Sequence, residues 1–449
     1  MIRKKQKWIL LIALLSYFLT ALSFSIVITG LLKIKLDLQL NQIELSWVQN
    51  AYGLAFGSFI LVSGKLGDAY GRRRLLIDAL LIFALSSLLS GLTSRIYLMI
   101  ISRFFQGLGA AIMAPTSMAL LMENFEGSSR VKAIAWYSSI SGLGSSIGLV
   151  LGGMLSSYWS WRIGFLMNIP ISVVIICITV WVLEPTTIMP KTFDYGGTFI
   201  SVLSVSSLIY SLNGSRNFFI PFVVAILLGF LFVYVEEHVQ DPIMPLSILN
   251  EPTRRIAYMI RALFCGSMMG FWFFVSEYLQ GGLKFSPVMT GIAFLPMTLP
   301  LFISAILVPR IVVKWGNYKT VLCAALITIL GFLCIVVEAN GSYWIQIFPS
   351  MILFGFGQGL RLTPLTNLGI YKIKPINSGI AASLVNTSQQ LGCVLGVALM
   401  VNIGSKISSG QNLNNEFTVA MVVGLVISII FTLLIFIMIL RKEKINENF

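Results

Sequence analysis

The sequence predicts an all-α membrane protein of about fourteen transmembrane helices. The first observation is composition, because 57% of the 449 residues are hydrophobic and only 11% are charged. A soluble domain is about 45–50% apolar and about 25% charged. The second is that the apolar residues form long runs separated by short polar breaks, and the third is that basic residues concentrate in alternate breaks. A chain with so little polar surface must expose apolar side chains to lipid.

The apolar runs define the predicted helices. A transmembrane helix needs about 20 mainly apolar residues. The basic stretch 1–7 leads directly into the first run, which is too long for a signal sequence and has no A-x-A-like cleavage site, so we expect it to be retained. The predicted spans are 8–30, 44–63, 75–92, 97–122, 131–155, 162–183, 194–212, 218–236, 256–280, 287–311, 318–337, 343–369, 377–403 and 417–440.

The distribution of Lys and Arg predicts the orientation. Twenty-two of these residues fall on the side that holds both termini and seven on the other side, while Arg103 and Arg361 fall inside spans. Cytoplasmic loops carry the excess of Lys and Arg, so we expect both termini in the cytoplasm. The same asymmetry explains the formal charge of +14 better than nucleic-acid binding, which needs a basic soluble face.

The sequence predicts no metal site, no cofactor and no enzymatic activity. The five cysteines lie inside apolar runs without a CxxC pair and are interpreted as small hydrophobic residues. His238 is the only histidine and stands beside acidic residues, Glu236 among them, in what we interpret as a solvated loop. No phosphate-binding G-x-x-x-x-G-K-[ST] loop is present, which argues against ATP-driven transport.

Ionisable residues inside predicted spans are the first functional candidates, since each costs about 2.5–3.5 kcal/mol at a helix centre. Glu277 follows a Phe-Trp-Phe-Phe stretch, and a buried carboxyl group there can alternate between protonated and charged forms. The alternative is a Glu that reaches water or forms a structural pair. Arg103 cannot lose its proton, so it either stabilises a nearby carboxylate or bonds backbone carbonyls. Asp78 and Arg361 can extend to the cytoplasmic interface, and we expect mainly structural roles for both. Asp78 is also a secondary candidate for proton coupling, after Glu277 and Arg103.

Two glycine stripes predict close helix packing. Gly144, Gly148 and Gly152 recur every four residues in the fifth span, and Gly153 adjoins them. Gly392 and Gly396 form a second stripe. Small residues at this spacing let two helices approach backbone to backbone, a pattern common among membrane proteins.

The break after the second span carries a family motif. It reads Gly64-Lys65-Leu66-Gly67-Asp68-Ala69-Tyr70-Gly71-Arg72-Arg73-Arg74. It resembles the signature loop of the major facilitator superfamily, G-x-L-x-D-x-x-G-R-[KR]-[KR]. The resemblance implies tight turns at the glycines, and charge pairs of Asp68 with the arginines that close the cytoplasmic face during gating.

Other stretches are similar to the fourteen-helix drug/proton antiporters of this superfamily. They are the R-x-x-Q-G element at 103–107, a G-P-x-x-G-G-like element at 148–153, and the stretches at 160–170, 278–280, 286–296 and 386–392. This resemblance covers about 22–401. It implies a six-helix bundle at 1–185, two extra helices at 194–236, a second six-helix bundle at 256–449, and a location in a bacterial cytoplasmic membrane.

The resemblance implies a multidrug exporter whose partners are hydrophobic or cationic drugs, protons or sodium, and the lipid bilayer. Rival interpretations are a narrower exporter of a metabolite or one antibiotic class, and a non-transporting membrane sensor. The sequence also departs from the branch, because Ser23 stands where an Asp is usual, and Leu149 replaces the motif proline. We interpret this as relocation of the titrating group to Glu277.

The candidates for lining the drug cavity are residues of the first and ninth spans. Packing against helices or lipid is the alternative for each of the aromatic and Met side chains. The candidates are Ser23, Met268, Phe271, Trp272, Phe274 and Tyr278.

Overall fold

The computed structural model describes residues 4–184, 194–212, 219–239, 242, 246–337, 342–373, 378–407 and 413–447. A 3₁₀ turn at Leu246–Asn250 and a π-helical turn at Tyr343–Ile347 accompany the α-helices. The α-helices are α1 (Lys4–Asp37), α2 (Gln42–Tyr70), α3 (Arg72–Leu92), α4 (Ile96–Asn124), α5 (Gly127–Tyr158), α6 (Trp161–Leu166), α7 (Asn168–Val182), α8 (Tyr195–Leu212), α9 (Phe219–His238), α10 (Pro252–Gly281), α11 (Pro287–Ala293), α12 (Leu295–Val337), α13 (Phe348–Gly369), α14 (Ser378–Ile407) and α15 (Leu413–Glu447).

The predicted all-α fold class is confirmed, and each predicted span falls on one or two of these helices. The helices extend beyond the apolar runs, as α1 reaches Asp37 and α15 reaches Glu447. A helix satisfies its own backbone hydrogen bonds and so continues into the polar interface, where hydropathy no longer marks it. The sequence therefore predicted the positions of the helices more accurately than the residues at which they begin and end.

Nine helical stretches among the described residues are long and apolar enough to cross a membrane. One of them, Pro287–Val337, has 51 residues, and at about 1.5 Å per residue it exceeds the roughly 30 Å hydrocarbon layer more than twofold. It is interrupted at Gly316, whose φ of 75° and ψ of 169° are not helical. This break fits the two spans that the sequence predicted there, while the total of fourteen stays a prediction.

The helices belong to two compact units. Unit 1 comprises Met1–Ser207, Val223–Ile243 and Ser286–Ile292, and unit 2 comprises Leu208–Phe222, Met244–Phe285 and Ala293–Phe449. The predicted domain boundaries at 185, 194–236 and 256 stay a prediction.

Unit 1 has an apolar core between α1, α2, α3, α4, α5 and α7. Phe83 and Phe125 are fully buried there. Tyr17 of α1 stacks on Tyr137 of α5 with ring centroids 4.3 Å apart, and the Tyr137 hydroxyl donates to the Ala114 carbonyl at 2.8 Å. This core holds the helices that carry the N-terminal site residues.

Unit 2 is organised around aromatic contacts. The Phe354 ring of α13 lies 4.5 Å from that of Phe271 on α10 and 4.8 Å from that of Phe332 on α12. Large apolar side chains also point outward in both units, for example Phe230 and Ile306. Such outward apolar surface is expected of helices that face lipid.

Candidate functional site

A buried group of polar side chains joins four helices inside unit 1. We name it the Arg103 cluster, and it consists of Ser23 on α1, Ser87 on α3, Arg103 and Gln106 on α4, and Asn168 on α7. Gln106 Nε2 donates to Ser87 Oγ at 2.7 Å and to Ser23 Oγ at 3.1 Å. Asn168 Nδ2 donates to the same two oxygens at 3.3 Å and 3.2 Å. Two serine hydroxyls thus connect the helices through amide donors.

Arg103 is completely buried and reaches from α4 to α2. Its Nε donates to the Val48 carbonyl at 3.0 Å, and its Nη1 donates to Gln106 Oε1 at 2.5 Å. Its guanidinium carbon lies 4.6 Å from the ring centroid of Tyr52 and 5.8 Å from that of Phe165, as in cation–π contacts. In the described part of the chain, no carboxylate forms an ion pair with Arg103. Of the two alternatives that the sequence left open, the structure shows the bond to a backbone carbonyl.

Sequence reasoning selected Ser23 and Arg103 separately and did not join them into one site. It also gave no site role to Ser87, Gln106 or Asn168. The signal was present, because buried amide side chains in apolar runs require hydrogen-bond partners. Their pairing across helices needs the three-dimensional packing. A role for Ser23 in substrate binding stays a prediction.

Glu277 lies in the apolar interior of unit 2. It stands four residues before the end of α10 and is 1% exposed. The next residue, Tyr278, stacks on Phe417 of α15 with ring centroids 4.1 Å apart. The coupling role of Glu277 stays a prediction.

Two other buried carboxylates were not singled out from the sequence. Glu416 of α15 is 6% exposed, and Glu236 of α9 is 3% exposed. The interpretation of Glu236 as part of a solvated loop is wrong, because α9 continues to His238 and carries Glu236 toward Gly197 of α8. Both residues flank apolar runs, and a helix that extends past its run buries them.

Asp78 lies apart from the Arg103 cluster. Its side chain is 54% exposed, and Asp78 Oδ2 lies 3.9 Å from Arg74 Nε one turn earlier on α3. Ser87 follows Asp78 by nine residues on the same helix, which corresponds to about 14 Å along the axis. The structure therefore does not bring Asp78 and Arg103 together.

In the gating motif, the structure describes the contacts of the second half, Gly71 to Arg74. Gly71 alone separates α2 from α3, and its φ of 83° is a left-handed conformation that favours glycine. Arg72 Nη1 lies 2.7 Å from Glu123 Oε1 of α4, and Arg73 Nη2 donates to the Val180 carbonyl of α7 at 3.0 Å. The turn expected at Gly64 is wrong, because α2 continues through this residue to Tyr70 and the chain turns at Gly71. The side chain of Asp68 lies outside the described residues, so its predicted gating pairs stay a prediction.

The glycine stripe of α5 packs directly against α1. A Cβ atom at Gly148 would lie 2.8 Å from the Leu22 carbonyl oxygen, and one at Gly152 would lie 2.7 Å from the Ile26 Cα. One at Gly144 would lie 3.1 Å from the Phe18 carbonyl oxygen. Only glycine permits the first two contacts, so the predicted backbone approach of two helices is confirmed.

Gly153 faces another neighbour. A Cβ atom at this position would meet the Pro287 backbone at the start of α11, with the carbonyl carbon 2.9 Å away. In the same contact the Val288 amide donates to Ser157 Oγ at 3.1 Å. The antiporter-like motif therefore packs α5 against α1 and against the start of α11, at residues that belong to unit 1. Its role in antiport stays a prediction.

The aromatic substrate candidates make packing contacts inside unit 2. Phe271 meets Phe354, and the partly exposed Trp272 stacks on Phe294 with centroids 4.9 Å apart. Phe274 meets Phe273 edge-on at 5.3 Å. Met268 is also buried. These contacts agree with the alternative that the side chains pack against neighbouring helices. Drug binding stays a prediction for Met268, Phe271, Trp272, Phe274 and Tyr278.

The expectation that Arg361 reaches the interface is wrong. Arg361 is 4% exposed, its guanidinium carbon lies 3.5 Å from the Phe264 ring centroid, and its Nη1 donates to Cys265 Sγ at 3.2 Å. Nearby, Arg261 Nη2 donates to Gln389 Oε1 at 2.6 Å. Helix packing in unit 2 encloses this arginine before its side chain reaches water.

The comparisons with known proteins agree with the fold and with the motifs. The family model described as Major Facilitator Superfamily matches residues 13–397. The chain belongs to the major facilitator superfamily, whose fold and family character are those of a membrane transporter.

Several proteins that the chain is similar to are named for drug resistance. The chain is 30% identical over 413 residues to the puromycin resistance protein pur8 of Streptomyces alboniger, covering 89% of this chain and 82% of that protein. It is 26% identical over 398 residues to the multidrug resistance protein Stp of Mycobacterium tuberculosis (strain CDC 1551 / Oshkosh), covering 87% and 74%. In fold it is similar to the solved POT family transporter PepTSo, with a TM-score of 0.71, 14% identity, and 95% and 97% of the two chains covered.

Proposed function

We propose that the chain is a secondary active exporter of hydrophobic, often cationic drugs in the bacterial cytoplasmic membrane. It exchanges drugs for protons by alternating access. The observation that carries this proposal is the extended likeness to pur8 and Stp, whose names state resistance to puromycin and to multiple drugs. The sequence contains no phosphate-binding loop for ATP hydrolysis, which supports a gradient as the energy source.

In this proposal Glu277 carries the exchanged proton. It is a buried carboxyl group on an apolar helix, and intramembrane carboxylates commonly serve as proton relays. Arg103 contributes a fixed positive charge, because a guanidinium does not titrate at physiological pH. Asp78, which is half exposed beside Arg74, is a secondary candidate.

The remaining motif residues are assigned to conformational change. Gly64, Asp68, Gly71, Arg72 and Arg73 gate the cytoplasmic side, and the glycine stripe of α5 supports helix movement. The proposed arrangement has six-helix bundles at 1–185 and 256–449, with two extra helices at 194–236 and both termini in the cytoplasm. The charge asymmetry of the loops supports this orientation.

A narrower exporter is the second candidate, and the name of pur8 favours it because that protein is described for one antibiotic. Resistance of cells that express the chain, measured against a panel of unrelated drugs, separates the two. Resistance to several chemical classes supports the multidrug proposal, and resistance to one class supports the narrow one.

Transport itself is tested by efflux of a fluorescent cation from energised cells. We expect cells with the protein to lose dye faster than cells without it, and collapse of the proton gradient to abolish the difference. Equal efflux in both cell types, for every dye and drug tried, would instead support a non-transporting sensor.

A further inference from the structure

We propose that the Arg103 cluster binds a small monovalent anion, either a halide or the carboxylate group of an organic anion. This inference is independent of which drugs the protein exports. It rests on the charge, the burial and the hydrogen-bond inventory of the five side chains that form the cluster.

Among the residues that the structure describes, no carboxylate forms an ion pair with Arg103. The groups that its guanidinium contacts are neutral, namely the Val48 carbonyl, the Gln106 amide and the rings of Tyr52 and Phe165. A guanidinium stays protonated in proteins, and a buried charge is strongly unfavourable unless it is paired. A counter-ion is therefore expected at this position.

Three carboxylates elsewhere in unit 1 form ion pairs with basic groups other than Arg103. Asp37 pairs with Arg162 at 3.0 Å, Glu123 with Arg72 at 2.7 Å, and Glu184 with Lys5 at 2.6 Å.

The cluster also contains more donors than acceptors. Both amide groups donate into Ser23 Oγ and Ser87 Oγ, so the hydroxyl protons of both serines remain to be placed. Among the described residues, one donor of the cluster, Arg103 Nη2, and one acceptor, Asn168 Oδ1, are buried without a hydrogen-bond partner. Exchanging the oxygen and nitrogen of the Asn168 amide changes the assignment but not the number of donors.

An anion fits this inventory better than water. A water molecule would accept hydrogen bonds but leave the positive charge uncompensated. A monovalent anion accepts several N–H and O–H groups and neutralises the single guanidinium, whereas a divalent anion would leave an excess negative charge. Because the whole cluster is buried, the anion must also bind without its hydration shell, which favours a small ion or a carboxylate group.

The test measures thermal unfolding of the purified full chain at constant ionic strength in sodium sulfate. Sodium chloride, bromide, acetate or benzoate is added over a concentration series. We expect a saturable rise in the melting temperature, since a ligand that binds only the folded state stabilises it by mass action. Stabilisation by the halides indicates an inorganic ion, and stabilisation by acetate or benzoate indicates a carboxylate ligand.

Two variants of matched size locate the effect. Ser23→Asp places a carboxylate inside the cluster. It should weaken anion binding, so that the half-saturating anion concentration rises at least about tenfold. Ser23→Asn has a similar volume without charge and should weaken the response less than Ser23→Asp does. Arg103→Gln, which removes the cation, should abolish it.

The proposal is overturned if none of the four anions gives a saturable response in the wild-type protein. It is also overturned if Arg103→Gln responds like the wild type. Because Arg103→Gln removes the buried charge, it supplies this test even if Ser23→Asp does not fold.

Discussion

Glu277 and Arg103 are both buried ionisable residues, but their surroundings suit different tasks. Glu277 is a titratable group beside stacked aromatic rings in unit 2, whereas Arg103 is held by a carbonyl and an amide in unit 1. A charged group at a helix centre costs about 2.5–3.5 kcal/mol on insertion scales. Only the carboxyl group can avoid that cost by taking up a proton.

The first prediction concerns Glu277→Gln, which keeps the shape of the side chain but cannot titrate. We expect the variant to bind drug within a few-fold of wild type and to lose efflux driven by a pH gradient. Binding to purified protein and efflux from proteoliposomes measure the two properties separately. Glu416→Gln is the matched control, because Glu416 is also buried in unit 2. Normal gradient-driven efflux by Glu277→Gln would assign coupling to another carboxylate, with Asp78 tested next.

At the residue scale the sequence predicted which groups lie inside the membrane but not what they contact. Arg103, Arg361 and Glu277 were recognisable as charges within apolar runs. The donation from Arg361 to Cys265 and the amide contacts of Ser23 join residues far apart in the chain. No local pattern encodes such pairings, since they depend on how the helices pack.

At the scale of the helix pair, the glycine stripe gives a prediction about stability. Gly152→Ala would place a methyl group 2.7 Å from the Ile26 Cα and 2.6 Å from Thr29 Oγ1, which must push α5 away from α1. Overpacking of this kind typically costs about 1–3 kcal/mol, so we expect a lower melting temperature and slower transport.

Gly229→Ala on α9 is the matched control for that change. A Cβ atom there would lie 3.6 Å from Ser204 Oγ, an ordinary contact, and alanine is the better helix former by about 1 kcal/mol. Thermal unfolding in detergent should therefore show Gly152→Ala destabilised and Gly229→Ala unchanged or stabilised. Equal melting temperatures for the two variants would contradict the close packing of α1 and α5.

Element positions were largely predictable, because long apolar runs are a strong signal for membrane helices. The stripe at Gly392 and Gly396 was also predictable, and the structure packs both residues against α10 at Ala262 and Gly266. The end of α9 was not predictable, because Glu236 and His238 are polar residues of the kind that usually lie in loops. The contact of Gly153 with α11 was not predictable either, since residues 153 and 287 are far apart in the chain and no sequence motif links them.

At the scale of the whole molecule, the loop charges predict where the termini lie. In a background with the five native cysteines replaced by serine, Lys5→Cys and Ile445→Cys should be protected from an impermeant thiol reagent in intact cells. Arg95→Cys, on a predicted outer loop and exposed, should be labelled. Labelling of residue 5 or 445 from outside would contradict the orientation or the count of fourteen spans.

Drug/proton exchange is the central claim, and its charge balance can be measured directly. If Glu277 carries one proton per cycle, exchange for one monovalent cation moves no net charge. Membrane voltage then contributes nothing to the driving force of this exchange. For a step that does move one charge, 100 mV contributes about 2.3 kcal/mol. That is more than the roughly 1.4 kcal/mol of a tenfold concentration ratio, so an effect of voltage would be easy to detect. A neutral drug, by contrast, should respond to both voltage and pH.

The decisive measurement is drug transport in proteoliposomes with the pH gradient, the sodium gradient and a potassium–valinomycin potential imposed separately. We predict that accumulation of a monovalent cationic drug follows the pH gradient alone. Accumulation driven by the potential without a pH gradient, or by the sodium gradient alone, would contradict one-for-one drug/proton exchange.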